Sequence, residues 1–539
     1  MTIEDNNRIS AIEYGDYQTP LVFARSVCAK LKKVYSLCPT IIIEPTFGTG
    51  NFIESALSEF NTIKTVFGVE LNNNHYMTAQ KRLCSQNIDC QIVLHNADIF
   101  SYNLDEIKER ITSLDNVLII GNPPWATNSQ LSSLFSYNLP LKNNFKGYSG
   151  LDAITGKGNF DIAEYIILRM LSEFSNYDCT LAMLCKTIVA KNIIRDIGKY
   201  TFGLSKADMY VFNAGDVFNV SCDAALFVVE MRGNGASVCN VFDYDSNKKI
   251  RQFGWQGRAF YSNIPTDKNI ASIDGKSPLE WRQGVKHDCS KVMELKHIEN
   301  SIFLNGLGET VRLNIGYYVF PLVKSSDIKS NEIYKTHKYI VITQRMVNAD
   351  TSTIKYGDRN IWEYLLSHEE LLNARRSVIY KNSPRFSIFG IGDYSFSKYK
   401  VGISGFYKEP IFAFITGEYP VMLDDTCYFL SFDNACDAII ATALLNSSVC
   451  LSFLKSIAFL DSKRPYTKEV LKRIDLLKLA DLVPYTDVRD FAKSMKGQNA
   501  ITEKQYSHFK NQLGDNQLSF ELLLNDDSSL IKLPMQGDL

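Results

Sequence analysis

Residues 40–52 read TIIIEPTFGTGNF. An apolar, β-branched run from Thr40 to Glu44 ends on a proline and a turn with two glycines, and from Asn51 to Phe60 apolar residues recur at helical spacing. That is strand, turn, helix. The unit repeats downstream as Thr65–Glu70 (TVFGVE), a helical stretch to about Gln86, Gln91–Leu94, and Val117–Gly121 (VLIIG) ending at Asn122-Pro-Pro. Further on, residues 160–174 have helical spacing, while 180–185, 209–213 and 224–231 have the apolar character of strands. Short, almost wholly apolar strands alternating with helices imply an α/β fold, a Rossmann-like, mostly parallel sheet covered on both faces. In such a sheet a ligand sits beyond the carboxyl ends of the strands.

The chain has 539 residues, and single cores stop growing at ~250–300 residues, so two domains are expected. After about residue 240 the alternation gives way to irregular segments rich in Tyr, Phe, Lys and Ser, which places the expected boundary at 245/246 with an α+β domain over 246–539. Residues 1–240 carry 20 basic and 24 acidic side chains, and residues 241–539 carry 38 and 35. A polyanion partner would therefore meet a local patch, not a uniformly basic protein. With no run of eighteen apolar residues and an acidic, polar start (MTIEDNNRIS), the chain is expected in the cytoplasm and away from membranes. Twelve cysteines without a C-x-x-C pair, and seven histidines without paired spacing, point to reduced thiols and no metal site.

Three carboxylates stand at or just after successive strand ends: Glu44, Glu70 and Asp98. Gly48 and Gly50 let the backbone pass close to a ligand, but Ile53 occupies the place of a third glycine, so a nucleoside suits this turn better than a pyrophosphate. A carboxylate at the second strand can accept both ribose hydroxyls, and an Asp at the third can accept from an exocyclic amine. Singly, each such carboxylate is more often a helix cap or a solvated charge. Together they describe an adenosine pocket.

Asn122-Pro123-Pro124-Trp125 follows a buried strand directly. Two prolines stiffen the loop and leave carbonyls unpaired, so the Asn122 side-chain oxygen and the Pro123 carbonyl can serve as two acceptors for one amino group. Such acceptors favour a pyramidal nitrogen with a localised lone pair. Trp125 would stack on the ring that carries the amine, an interaction worth ~1–3 kcal/mol.

In order along the chain, Tyr14-Gly15-Asp16-Tyr17-Gln18-Thr19-Pro20, EPTFGTGNF, VFGVE, HNADIF, GNPPW, Gly158-Asn159-Phe160-Asp161-Ile162-Ala163-Glu164-Tyr165 and Gly215-Asp216-Val217-Phe218 resemble the gamma class of S-adenosylmethionine-dependent methyltransferases. These enzymes modify adenine at N6 in DNA within type II restriction-modification systems. The resemblance covers about the first 230 residues and implies that residues 1–245 form the catalytic domain. It implies that Thr19 and Pro20 border the methionine end of S-adenosylmethionine, with Glu44, Pro45, Gly48 and Gly50 beside them and Asn122 reaching the same pocket. Glu70 would hold the ribose and Asp98 the cofactor adenine, while Trp125 and Phe218 would stack on the flipped target base. The first motif begins with Glu where many relatives have Asp, and the loop ends in Trp where Tyr or Phe is commoner. Double-stranded DNA would be the substrate, a separately encoded restriction endonuclease the partner, a monomer the working form and the bacterial cytoplasm the location.

By the same resemblance residues 246–539 are a target-recognition domain. Between Leu371 and Lys400, Arg375, Arg376, Lys381, Arg385, Lys398 and Lys400 alternate with aromatic residues and face only Asp393, a pattern suited to phosphate contacts. It is equally that of a basic face over an aromatic core. Lys463 and Arg464 form a second candidate patch. Methylation of RNA or of a protein glutamine, a type I modification subunit, and a nucleic-acid-binding module on an inactive methyltransferase fold are the competing readings. A binding module would have no need of Asn122, Glu70 and Asp98.

Overall fold

The computed structural model describes residues 18–84, 89–125, 161–200, 202–220, 222–231, 233, 235–460, 462–497 and 500–529. Tyr14 to Tyr17 and Gly158 to Phe160 lie outside the described residues. The chain divides into two units, Met1–Ile264 and Pro265–Leu539.

The first unit is built on one ten-stranded sheet: β1 (Ile41–Glu44), β2 (Thr65–Glu70), β3 (Gln91–Asn96), β4 (Val117–Gly121), β5 (Cys179–Lys186), β6 (Lys206–Asn213), β7 (Asp223–Glu230), β8 (Val238–Asp243), β9 (Lys249–Gln256) and β10 (Ala259–Tyr261). Its order is 10-9-8-6-7-5-4-1-2-3, with β3, β2, β1, β4 and β5 parallel and β7 antiparallel between β5 and β6. The helices are α1 (Leu21–Tyr35), α2 (Asn51–Glu59), α3 (Asn73–Cys84), α4 (Asp105–Lys108), α5 (Ile162–Glu173), α6 (Thr187–Asp196) and α7 (Ala214–Phe218). Both β1 and β4 are buried along their whole length, as their unbroken Ile/Val/Leu runs require of central parallel strands. Chain order reverses between β1 and β4, where Ile41 pairs with Thr65 on one side and Val117 on the other. A crevice opens at such a switch point.

The first unit extends past the expected boundary at 245. Residues 246–264 belong to it because β9 pairs with β8 from Val238–Gly254 onward and β10 folds back on β9. The segment KIRQFGWQ escaped the strand pattern because it lies near the sheet's far edge, with only Phe253 and Gly254 buried.

The second unit is α+β. A five-stranded sheet contains Cys427–Phe432, Tyr399–Ser404 and Phe412–Ile415, and a six-stranded sheet contains Glu294–Glu299, Lys338–Val341 and Val319–Val323. Helices dominate from Ala435 onward. Among the described residues no single helix is long and apolar enough to cross a membrane. The bent pair Ala435–Leu445 and Ser448–Ile457 passes that test only jointly, and much of it is core, with Leu444, Leu445, Phe453 and Leu454 fully buried.

Candidate active site

The turn between β1 and α2 is held in shape by its neighbours. Gly48 has φ 53°, in the left-handed region, and a Cβ there would meet the Gln18 side chain at 2.6 Å. Gln18 Oε1 accepts from the Thr49 amide at 3.0 Å and the Thr49 hydroxyl at 3.1 Å, and Asn51 Nδ2 donates to the Thr19 carbonyl at 2.7 Å. Arg82 completes the clamp by donating to Asn51 Oδ1 at 2.9 Å and to the Thr49 carbonyl at 2.7 Å. Gln18 and Thr19 are thus fastened to the glycine turn before α1 begins.

Glu44 ends β1 with 2% of its surface exposed, and its Oε2 has no hydrogen-bond partner among the described residues. Burial holds its carboxyl well above the usual carboxylate range, and the nearby Glu70 pushes the same way, against the Ile53 amide and Arg82. Thr46 Oγ1, two residues on, is likewise buried without a partner. Glu70 ends β2 and is also raised by burial, although Gly48 N donates to its Oε2 at 2.8 Å and Asn72 N to its Oε1 at 2.7 Å. Each oxygen keeps acceptor capacity for a ligand hydroxyl. Asp98 accepts from the Phe100 amide at 2.9 Å through Oδ1, leaving Oδ2 for a ligand.

Two adjoining cavities bring these residues together. Thr19, Glu44, Gly48, Glu70, Asn122 and Pro124 line one; Pro45, Glu70, Asp98, Pro124 and the α5 residues Ile162 and Ile166 line the other. Thr46, Glu70 and Pro124 face both. Pro20 instead precedes α1 and is exposed, and Gly50 (φ 82°) caps α2; neither lines either of these two cavities. Gln18, Thr46 and Asn51, which stand inside the quoted motifs without an assigned role, also line the first cavity, as does His75, which lies outside them.

Trp125 and Phe218, the residues expected to stack on the target base, touch each other directly. Their ring centroids are 5.1 Å apart at 73°, edge to face, whereas a base between them needs the rings parallel. Trp125 is 8% exposed and donates through Nε1 to the Leu184 carbonyl at 3.4 Å. Lys186, at the end of β5, donates to the Trp125 carbonyl at 2.6 Å.

In the second unit, two of the expected DNA contacts are otherwise employed. Lys400 is 1% exposed and donates to the Ser397 carbonyl, and burial alone pushes its ammonium down to about 7. Arg375 donates to the carbonyls of Leu372 (2.7 Å), Ser387 (2.7 Å) and His287 (3.2 Å), and its guanidinium lies 3.8 Å from the Tyr380 ring centre. Both fasten the fold. Arg385 pairs with Glu369 just upstream of the segment, and Arg464 with Asp425. Arg376, Lys381, Lys398 and Lys463 are exposed.

The parallel sheet with its antiparallel seventh strand, the carboxylates around the switch-point crevice and Asn-Pro-Pro-Trp at the end of β4 define a methyltransferase of the Rossmann-like class. The chain is 40% identical over 476 residues, 88% of its length and 98% of the relative's, to the Type II methyltransferase M.NspV of Nostoc sp.. It belongs to the type II methyltransferases of restriction-modification systems, which act on DNA with S-adenosylmethionine as methyl donor. Among solved structures it is similar to the type IIG restriction endonuclease BpuSI (11% identity, 92% of this chain, 64% of that one, TM-score 0.34). It is also similar to the type I restriction-modification methyltransferase subunit of Streptococcus thermophilus (17% identity, 43% and 49%, TM-score 0.30). No family model matches the chain.

Proposed function

We propose that the chain is a gamma-class, site-specific DNA methyltransferase that modifies adenine at N6, working as a monomer in the bacterial cytoplasm to protect DNA from a cognate endonuclease. The observation that carries this reading is the position of Asn122 and Pro124 on the same cavity as Glu44 and Glu70. S-adenosylmethionine would supply a methyl group made electrophilic by its sulfonium.

The residues present fit that cofactor. Glu44 Oε2 and Thr46 Oγ1 are buried polar atoms at the cavity wall without partners among the described residues, and a buried polar group left unpaired is costly. Glu44, with Thr19 and the glycine turn beside it, is placed for the methionine end, Glu70 for the ribose hydroxyls and Asp98 for the adenine amine. Asn122 and the Pro123 carbonyl accept from the target amine and hold its lone pair in line for transfer, so the enzyme's work is alignment without a covalent intermediate. The adenine must leave the duplex stack to reach them. In this reading the base stacks on Trp125 after Phe218 swings out of its edge-on contact. The second unit reads the DNA, with Arg376, Lys381, Lys398 and Lys463 as its phosphate contacts.

Expression in a methylation-free host followed by single-molecule sequencing tests the reading. N6-methyladenine confined to one short motif is expected. Methylation on cytosine N4, or none, would overturn the assignment of the base.

A further inference from the structure

Lys186 has a place in the active site that no motif assigned to it. It is the last residue of β5, the neighbour of β4, and its ammonium donates to the Trp125 carbonyl at 2.6 Å and to Asp161 Oδ2 at 2.7 Å. Asp161 is itself buried and caps α5 by accepting from the Ala163 amide at 3.1 Å. Trp125 is thereby held at two points by the end of β5: its indole N–H by the Leu184 carbonyl and its own carbonyl by Lys186. Helix α5 supplies Ile162 and Ile166 to the cavity that contains Asp98. One side chain thus ties the last peptide of the Asn-Pro-Pro-Trp loop to the helix that walls the cofactor cavity.

We propose that Lys186 is a positioning residue for methyl transfer: its ammonium locks the Trp125 peptide to the Asp161 carboxylate, so that the Asn122–Trp125 loop and the start of α5 hold one fixed relative geometry. This rests on the methyl-transfer reading above. An ammonium suits the role because it satisfies a carbonyl and a carboxylate at once, whereas a neutral residue would leave Asp161 as an uncompensated buried charge. Loss of the clamp lets the loop drift, and a displacement of ~1 Å in a positioned group costs up to ~100-fold in rate. Lys186 lines neither cavity, so cofactor affinity does not depend on it directly.

The test compares Lys186→Met, Lys186→Arg and Asp161→Asn with the wild-type chain. For Lys186→Met, the single-turnover rate of methyl transfer should fall ~10- to 100-fold while S-adenosylmethionine affinity and DNA affinity stay within about twofold. Lys186→Arg, which can span both acceptors, should recover most of the rate, and Lys186→Met combined with Asp161→Asn should be little worse than Lys186→Met alone. A wild-type rate in Lys186→Met, or parallel loss of rate and cofactor affinity, would overturn the proposal, as would an Arg variant no better than Met. A second readout needs no methyl transfer. Acrylamide quenching of tryptophan fluorescence should rise in Lys186→Met, and that rise should vanish in a Trp125→Phe background. Unchanged quenching would also overturn the clamp. A wild-type protein that methylates no adenine would sink the assignment of the base alone, because the quenching result stands apart from it.

Discussion

Glu44 and Lys400 are both ionisable and both almost wholly buried, and each lies in a strand. They mean opposite things. Glu44 closes a parallel strand at the sheet's switch point, lines a cavity and carries an oxygen with no partner among the described residues. Lys400 is the second residue of an antiparallel strand that is buried along nearly all its length, and its ammonium is satisfied by a carbonyl three residues away. A buried charge at the carboxyl end of a central parallel strand faces ligand space. One buried in the central strand of a sheet away from any ligand crevice can only be capped and neutralised.

The sharpest break of this contrast is Asn122→Ala in the first unit. Methyl transfer should fall at least ~10²- to 10³-fold, the size expected for a lost group that acts on developing charge. DNA affinity should stay within a few fold, because phosphate contacts supply most of it. Wild-type turnover in that variant would remove the catalytic assignment.

Next in size is Glu70→Ala, which leaves ribose hydroxyls and the Gly48 and Asn72 amides without their acceptor. A loss of ~1–3 kcal/mol in S-adenosylmethionine binding, about 5- to 150-fold, is expected by calorimetry. Unchanged affinity would place the ribose elsewhere.

The two buried charges should also differ in how they respond to pH. Glu44 and Glu70 titrate above the usual range in the folded chain, so they bind protons that the unfolded chain has shed, and their contribution to stability falls as pH rises through the folded values. A cationic ligand group favours the ionised carboxylate. Cofactor affinity should therefore rise with pH across that window, and Glu44→Gln should flatten the rise in a titration series. Lys400 works in the other direction. Its folded value of about 7 lies below the ordinary 10.5, so the unfolded chain binds the extra proton between those limits and stability increases with pH there. Lys400→Met should abolish this rise in thermal melts and leave DNA binding unaltered. Weakened DNA binding would return Lys400 to the interface.

The smallest effects concern the exposed cations. Each of Arg376, Lys381 and Lys398 that contacts a phosphate should lower the slope of log affinity against log salt by ~0.9 on neutralisation, measured by gel shift. Arg375→Ala should destabilise the second unit, since it strips hydrogen bonds from three carbonyls, and any fall in DNA affinity should follow that destabilisation. An unchanged slope for the exposed three would move the DNA surface away from this segment.

The first unit was legible because its information is local. A β-branched run, a glycine turn and a helical period need no distant partner to be recognised, and carboxylates at strand ends converge automatically once the strands lie parallel. The sheet's eighth to tenth strands were not legible, since half-exposed edge strands such as Lys249–Gln256 lack the unbroken apolar run of β1 and β4. Asn122, Glu44, Glu70 and Asp98 were thus named by the sequence through position alone. Tertiary structure decided which of the basic residues between Leu371 and Lys400 face solvent, how Trp125 meets Phe218, and that Lys186 joins Trp125 to Asp161. Those outcomes depend on which side chains distant segments bring into contact, and burial of a charge is a property of the packed neighbours, not of the residue or its place in the chain.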